Sequence, residues 1–163
     1  MNDPQSPLDL IVGLQWGDEG KGAVADRISA KPKYQIVVRP AGGNNAGHTV
    51  KVGDHRFALH QVPAGILHGK TAVLGSGMCI NPLALNDELI DLESTGISTR
   101  NLKISDRASL LMPWHIEEDR LQEAARGKNK IGTTCRGIGP CYRDHSDRSG
   151  LRLTDFTEPK NSW

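Results

Sequence analysis

Three glycine-rich segments carry the residue types best suited to chemistry. The first, Leu14–Gly22 (LQWGDEGKG), has three glycines in nine residues, with Asp18 and Lys21 among them. A glycine-rich loop leading into a helix presents backbone N–H groups and the positive end of the helix dipole, and both suit phosphate. Lys21 brings an ammonium toward the same anion. The standard P-loop needs four residues between its glycine and Gly-Lys, followed by Ser or Thr. Here six residues separate Gly13 from Gly20, and Gly22 follows Lys21. The pattern fails, and no hydroxyl stands where Mg²⁺ would be held. Asp18 is the replacement, because a carboxylate is a hard oxygen ligand. Such an acid repels phosphate unless a cation lies between them or the acid works as a base. An Asx-turn or helix N-cap role for Asp18 is the local alternative.

The second segment, Gly42–Thr49 (GGNNAGHT), offers the amides of Asn44 and Asn45 for hydrogen bonding. Histidine as a residue type ordinarily titrates near neutral pH, so His48 is a candidate for general acid or base work, or else for a structural role. The third, Gly132–Pro140, carries Thr133, Thr134 and Arg136, with Arg148 and Arg152 downstream. Hydroxyls with guanidinium groups fit a phosphate monoester; a solvated basic loop is the alternative. His55, His60, His68, His115 and His145 show no metal-ligand spacing and read as structural or surface residues.

The elements that must position these loops follow from apolar patterning. Residues 1–8 read as a polar tail. Asp9–Gly13 (DLIVG) predicts a buried strand, Ala23–Ala30 a helix and Gln35–Arg39 a second strand. Together they form a βαβ unit, which pairs its strands in parallel. Adjacent parallel strands would bring Asp18 and His48 to one edge of the sheet. Gly53-Asp54, between Thr49–Val52 and Arg56–Leu59, is a hairpin signal. Thr71–Leu74 and Leu102–Ser105 predict strands, and Pro82–Ser94 and Trp114–Arg126 predict helices. Glu117, Glu118, Asp119 and Arg120 look like a solvated helix face. Lys130–Tyr142 reads as a glycine-rich loop, and Thr154–Trp163 shows no periodic pattern. The expected fold class is α/β, with a mostly parallel central sheet, flanking helices and ligand sites at the carboxyl ends of the strands.

Composition narrows the function. The chain has 163 residues, one domain by length, with Lys+Arg 20 against Asp+Glu 19. That balance excludes a polybasic nucleic-acid or membrane footprint as the main theme. Aromatic residues are 4%, too few for base-stacking platforms. The longest apolar run, Leu10–Leu14, is far short of a membrane span. Met1–Pro7 lacks the pattern of a signal peptide. Cys79, Cys135 and Cys141 are odd in number and lack CxxC spacing, which predicts reduced thiols in a cytosolic protein.

Trp16-Gly17-Asp18-Glu19-Gly20-Lys21-Gly22, Asn45-Ala46-Gly47-His48-Thr49 and Ile131-Gly132-Thr133-Thr134, with Arg136-Gly137-Ile138-Gly139-Pro140, occur in that order. Over about Leu10 to Leu153 the chain closely resembles the N-terminal part of adenylosuccinate synthetases, whose members are more than twice as long. The resemblance implies a P-loop-NTPase-like fold, truncated relative to the family. It also implies a cytoplasmic, GTP-dependent ligase that joins IMP to L-aspartate through 6-phosphoryl-IMP. A purine-nucleotide-binding fragment or an inactive remnant is the alternative. By resemblance, Asp18 is the base, His48 the acid and Lys21 a further catalytic residue. GTP would meet Gly17, Asp18, Glu19, Gly20, Lys21, Gly22, Ala23, Gly47, His48 and Thr49. IMP would meet Asp18, Glu19, Gly20, Lys21, Asn45, Ala46, Gly47, His48, Thr134 and Arg148. Mg²⁺ would sit on Asp18 and Gly47, and Arg148 would reach the neighbouring subunit of a homodimer. Two departures stand out: Ala23 replaces the family's second lysine, and Cys135 replaces the glycine of Thr-Thr-Gly-Arg. If that glycine needs a positive φ, cysteine there is strained.

Overall fold

A computed structural model describes residues 8–15, 19–52 and 55–157. Its centre is β4 (Thr71–Ile80), which pairs in parallel with β1 (Ile36–Gly42) on one side and β5 (Leu102–Ile104) on the other. A short β6 (Ser109–Leu110) also lies parallel to the far end of β4, at Cys79 and Ile80. Among the described residues the strand pairings of this sheet are parallel, in keeping with the expected class, and an isolated antiparallel bridge joins Ser109 to Arg152. The buried Ala72, Leu74, Met78 and Ile80 of β4 pack with Val62, Ile66, Leu85 and Leu92 in the main core.

β4 runs six residues past the expected end at Leu74. Gly75 and Gly77 read as stop signals, but they serve a close approach. A Cβ on either would lie within 3.0 Å of Pro40 backbone atoms in β1. Pro40 cannot donate to the ladder, and the register shifts between Arg39 and Ala41. The glycines let β4 pass this irregularity without ending.

β2 (His48–Val52) and β3 (His55–Leu59) form the expected antiparallel hairpin. Gly53 and Asp54 themselves lie outside the described residues. Helix α1 covers Lys21–Ser29, α2 Pro82–Ser94 and α3 Pro113–Ala125, each close to expectation. α2 starts where the Asn81 side chain accepts the Ala84 N–H at 3.1 Å, with Pro82 in the first turn. It stops before Gly96, whose φ is +85°.

Three expectations need correction. Asp9–Gly13 forms no strand: Leu10 is 80% exposed and Val12 59%. An apolar run becomes a strand only where a neighbouring ladder and a covering face exist. Among the described residues, however, β1 is hydrogen-bonded on its β4 side alone, and Ile36 and Val38 are exposed. The βαβ unit therefore lacks its first strand, and the parallel pairing comes from β1 and β4 instead. Second, the segment Lys130–Tyr142 is not all loop, because α4 occupies Ile138–Asp147. Gly139 and Pro140 masked it, yet Pro in a helix's first turn needs no N–H partner. Third, Asp119 is not on a solvated face: it is 8% exposed and accepts two hydrogen bonds, described below. A short α5 (Thr154–Thr157) closes the described chain. Among the described residues no helix is long and apolar enough to cross a membrane, and all three cysteines are free thiols.

Candidate functional site

Loop 1 approaches α1 through Gly20, whose φ of +77° sets the turn into the helix. No side chain caps that helix start among the described residues, and its first turn carries no acid. The Lys21 ammonium pairs with the Glu19 carboxylate, which also accepts the Gln15 N–H at 2.9 Å. Trp16, Gly17 and Asp18 lie outside the described residues. So does the expectation that Asp18 and His48 share an edge. Gly22 and Ala23 form the first turn of α1, which packs against β2. The helix that follows loop 1 therefore lies against the strand that follows loop 2.

Loop 2 leaves the carboxyl end of β1 and is gripped at its base. The Arg39 guanidinium donates to the Gly43 carbonyl at 2.9 Å and also to the His60 carbonyl. Burial pushes the Arg39 pKa down, and Glu88 opposes that shift. Glu88, buried on α2, accepts the N–H groups of His60 at 3.0 Å, Gln61 at 2.9 Å and Val62 at 3.1 Å. The peptide of His60 is thus held on both sides. Asn44 is buried with its Oδ1 unpartnered among the described residues. Asn45, Ala46, Gly47 and Thr49 are exposed, and His48 opens β2 opposite Leu59.

His60, expected as a structural or surface residue, packs against loop 2 at Gly47. A Cβ on Gly47 would fall 2.4 Å from His60 Cε1, so a side chain there would have to displace the ring. His60 Nδ1 is buried without a hydrogen-bond partner among the described residues. The hairpin register holds the signal: His48 pairs with Leu59, so one step further sets Gly47 opposite His60. The other inward-facing histidines are tied into the scaffold. His68 meets Asp26 at 2.7 Å, and His145 meets Ser109 at 2.8 Å. His115 Nδ1 accepts the Met112 N–H at 2.9 Å, which leaves Nε2–H for Asp144 at 3.1 Å.

Loop 3 hangs from two acids of α3. Asp119 accepts the Thr133 hydroxyl at 3.0 Å and the Gly137 N–H at 2.9 Å. Glu123 accepts the Gly132 N–H, which holds its pKa below the ordinary 4.5 despite burial. A folded-state pKa below the unfolded one gives stability that is present above pH 4.5 and lost as pH falls below it. The urea midpoint of the parent should therefore exceed that of Glu123→Gln at pH 7, and the gap should narrow as pH falls below 4.5. A gap that stays the same size, or widens, as the pH is lowered through the acid range would contradict this role. Thr134 and Arg136 are left exposed by this anchoring, as is Arg148 at the end of α4.

Cys135 has φ +51°, the left-handed region that favours glycine. Left-handed backbone costs an L residue about 1–2 kcal/mol. Cys135→Gly should therefore raise stability by about 1 kcal/mol, after allowing for glycine's greater unfolded freedom. Urea denaturation checks this; a lower midpoint would contradict it.

A parallel α/β sheet with glycine-rich loops at its strand ends and at a helix start defines a nucleotide-binding type of fold. The family model of adenylosuccinate synthetase matches residues 10–162. The chain belongs to the adenylosuccinate synthetase family. It is 50% identical to the enzyme of that name from Thermoanaerobacter sp. (strain X514) over 152 residues, 93% of this chain and 35% of the relative. The Clostridium perfringens protein is 52% identical over 150 residues, 90% of this chain and 35% of the relative. The fully ligated adenylosuccinate synthetase of Plasmodium falciparum superposes with a TM-score of 0.78 at 39% identity, covering 88% of this chain and 34% of that one. A cyanophage S-2L succinoaminodeoxyadenylate synthetase, bound to dGMP and dATP as an energy donor, superposes at 0.69 with 25% identity. It covers 90% of this chain and 41% of its own. The fold is P-loop-NTPase-like, and the chain spans about a third of the length of the curated relatives it matches.

Proposed function

We propose that this chain supplies the phosphate-transfer loops of a GTP-dependent ligase that condenses IMP with L-aspartate to adenylosuccinate. The observation that carries this reading is the family match over residues 10–162, which contains all three glycine-rich motifs. Asp18 takes the proton from N1 of the hypoxanthine ring. O6 then attacks the γ-phosphate of GTP, and the bond to the β-phosphate oxygen breaks, giving 6-phosphoryl-IMP and GDP. His48 donates to the transferring group as its charge develops. The aspartate amine next displaces phosphate from C6. Such chemistry depends on positioning and charge neutralisation.

Glycine backbone from Gly17, Gly20, Gly22 and Gly47 and the Lys21 ammonium suit GTP phosphates, and Glu19, Ala23 and Thr49 would meet GTP beside them. Asn45, Ala46, Thr134 and Arg148 would meet IMP, with Arg148 crossing to a second subunit of a homodimer. Mg²⁺ suits the donor set, since it takes one or two hard oxygens from protein and the rest from phosphates and water. Asp18 and the Gly47 carbonyl would hold it, and when bound it neutralises phosphate charge. Among the described residues no cluster of three His, Cys, Asp or Glu could hold a metal instead.

The test is adenylosuccinate formation from IMP, GTP, aspartate and Mg²⁺, read by mass spectrometry, with each substrate omitted in turn and ATP replacing GTP. Product that requires all three substrates and GTP supports the ligase. A well-folded chain that forms none, alone or with the remaining family sequence supplied, refutes it and leaves the nucleotide-binding fragment.

A further inference from the structure

The end of β1 and the start of loop 2 touch the helix that follows loop 3 at a polar junction. The Tyr142 hydroxyl of α4 accepts the Gly42 N–H at 2.8 Å and donates to the Gly77 carbonyl at 2.8 Å. One side chain thereby joins three segments that are 65 and 100 residues apart. Beside it the backbones come close enough to exclude a side chain. A Cβ on Gly43 would fall 2.4 Å from Ile138 Cδ1 and 2.8 Å from the Cys79 carbonyl. The ring packs with Cys79, Leu111 and Cys141, so its direction is fixed by a dry wall. Burial raises the phenol's pKa, which keeps the donor proton in place at neutral pH. Gly42 has φ +105° and stands at the last position of β1, where the chain turns away into loop 2.

From this geometry we infer that Tyr142 is a positioning residue that couples loop 2 to loop 3 through α4. It fixes the angle at which Gly43–Gly47 leave the sheet. Loop 3 sits at the opposite end of the same link, since Gly137 caps α4 and is itself bound by Asp119. A shift of α4 that accompanies ligand contact at Thr134 is then transmitted to Asn44–Gly47 through one hydroxyl. The link to ligand affinity rests on the proposed IMP site; the mechanical coupling does not.

The experiment uses Tyr142→Phe in the full 163-residue chain, which keeps the ring and removes only the hydroxyl. Peptide-resolved hydrogen exchange is measured without ligand, alongside IMP affinity in the presence of Mg²⁺ and GTP. Exchange over residues 42–47 should rise about tenfold, the size expected from losing one partly buried hydrogen bond. Exchange in α2 should stay unchanged, the melting temperature should fall by only a few degrees, and the IMP dissociation constant should rise about fivefold. Unchanged exchange over 42–47 overturns the proposal. So does an equal rise in α2, because Tyr142 would then be only a core residue. If the parent chain binds no IMP, the ligase reading falls, while the exchange comparison still decides the coupling.

Discussion

Glu88→Ala should destabilise the chain strongly. The Glu88 carboxylate is buried and accepts three consecutive backbone N–H groups, at residues 60, 61 and 62. Alanine leaves all three without an acceptor. Each orphaned buried donor costs about 1–3 kcal/mol, so three together remove at least about 3 kcal/mol. A domain has about 5–15 kcal/mol in all. At about 1–3 kcal/mol per molar urea, the midpoint should fall by at least about 1 M. Glu88→Gln should lie between parent and alanine. Its amide oxygen can still accept from His60 and Val62, while its NH₂ faces the Gln61 N–H. A midpoint unchanged in Glu88→Ala would show that water or a rearranged loop satisfies these groups.

Asp18→Asn should abolish turnover of the complete ligase. Asparagine keeps the shape and the hydrogen-bonding oxygen of Asp18 but cannot take a proton from N1. A positioned general base contributes about 10²–10⁴ in rate, so kcat should drop at least about 100-fold with the fold intact. The comparison is turnover of parent and variant, with far-UV circular dichroism as the folding control. A variant that keeps more than about a tenth of the parent's kcat would remove Asp18 from the role of base.

Much of the fold was legible because local signals and packing agree. Pro82–Ser94 has a cap residue before it, proline at its start and glycine after it, and its buried Leu85 and Leu92 point where their spacing requires. The hairpin was legible because Gly53-Asp54 sits between two alternating runs. Errors arose where local signals meant something nonlocal. Gly75 and Gly77 looked like a strand end, but they are the gap through which β4 passes Pro40. Asp9–Gly13 has a strand's composition and lacks the neighbouring ladder that would make it one.

The site was legible to a different degree. Residue types and order singled out the three loops, because phosphate chemistry needs glycine backbone, a base and cations in compact stretches. What holds the loops was hidden. Asp119 and Glu123 sit in a run of charges that resembles any solvated helix, and only the fold of loop 3 onto α3 buries them. Tyr142 gave no local sign at all, since its partners are Gly42 and Gly77. His60 was recoverable by extending the hairpin register to Gly47. Cys135 was legible as a strained position from its departure alone, and its φ of +51° bears out that condition.

Calorimetric titration of IMP into the folded chain, with Mg²⁺ and GTP present, bears most directly on the central reading. The expected result is saturable binding of one IMP per chain, weakened when Lys21→Ala removes the ammonium beside loop 1. A chain whose β4 and α2 amides are protected from exchange, yet which gives no saturable heat with IMP or GTP, would contradict it.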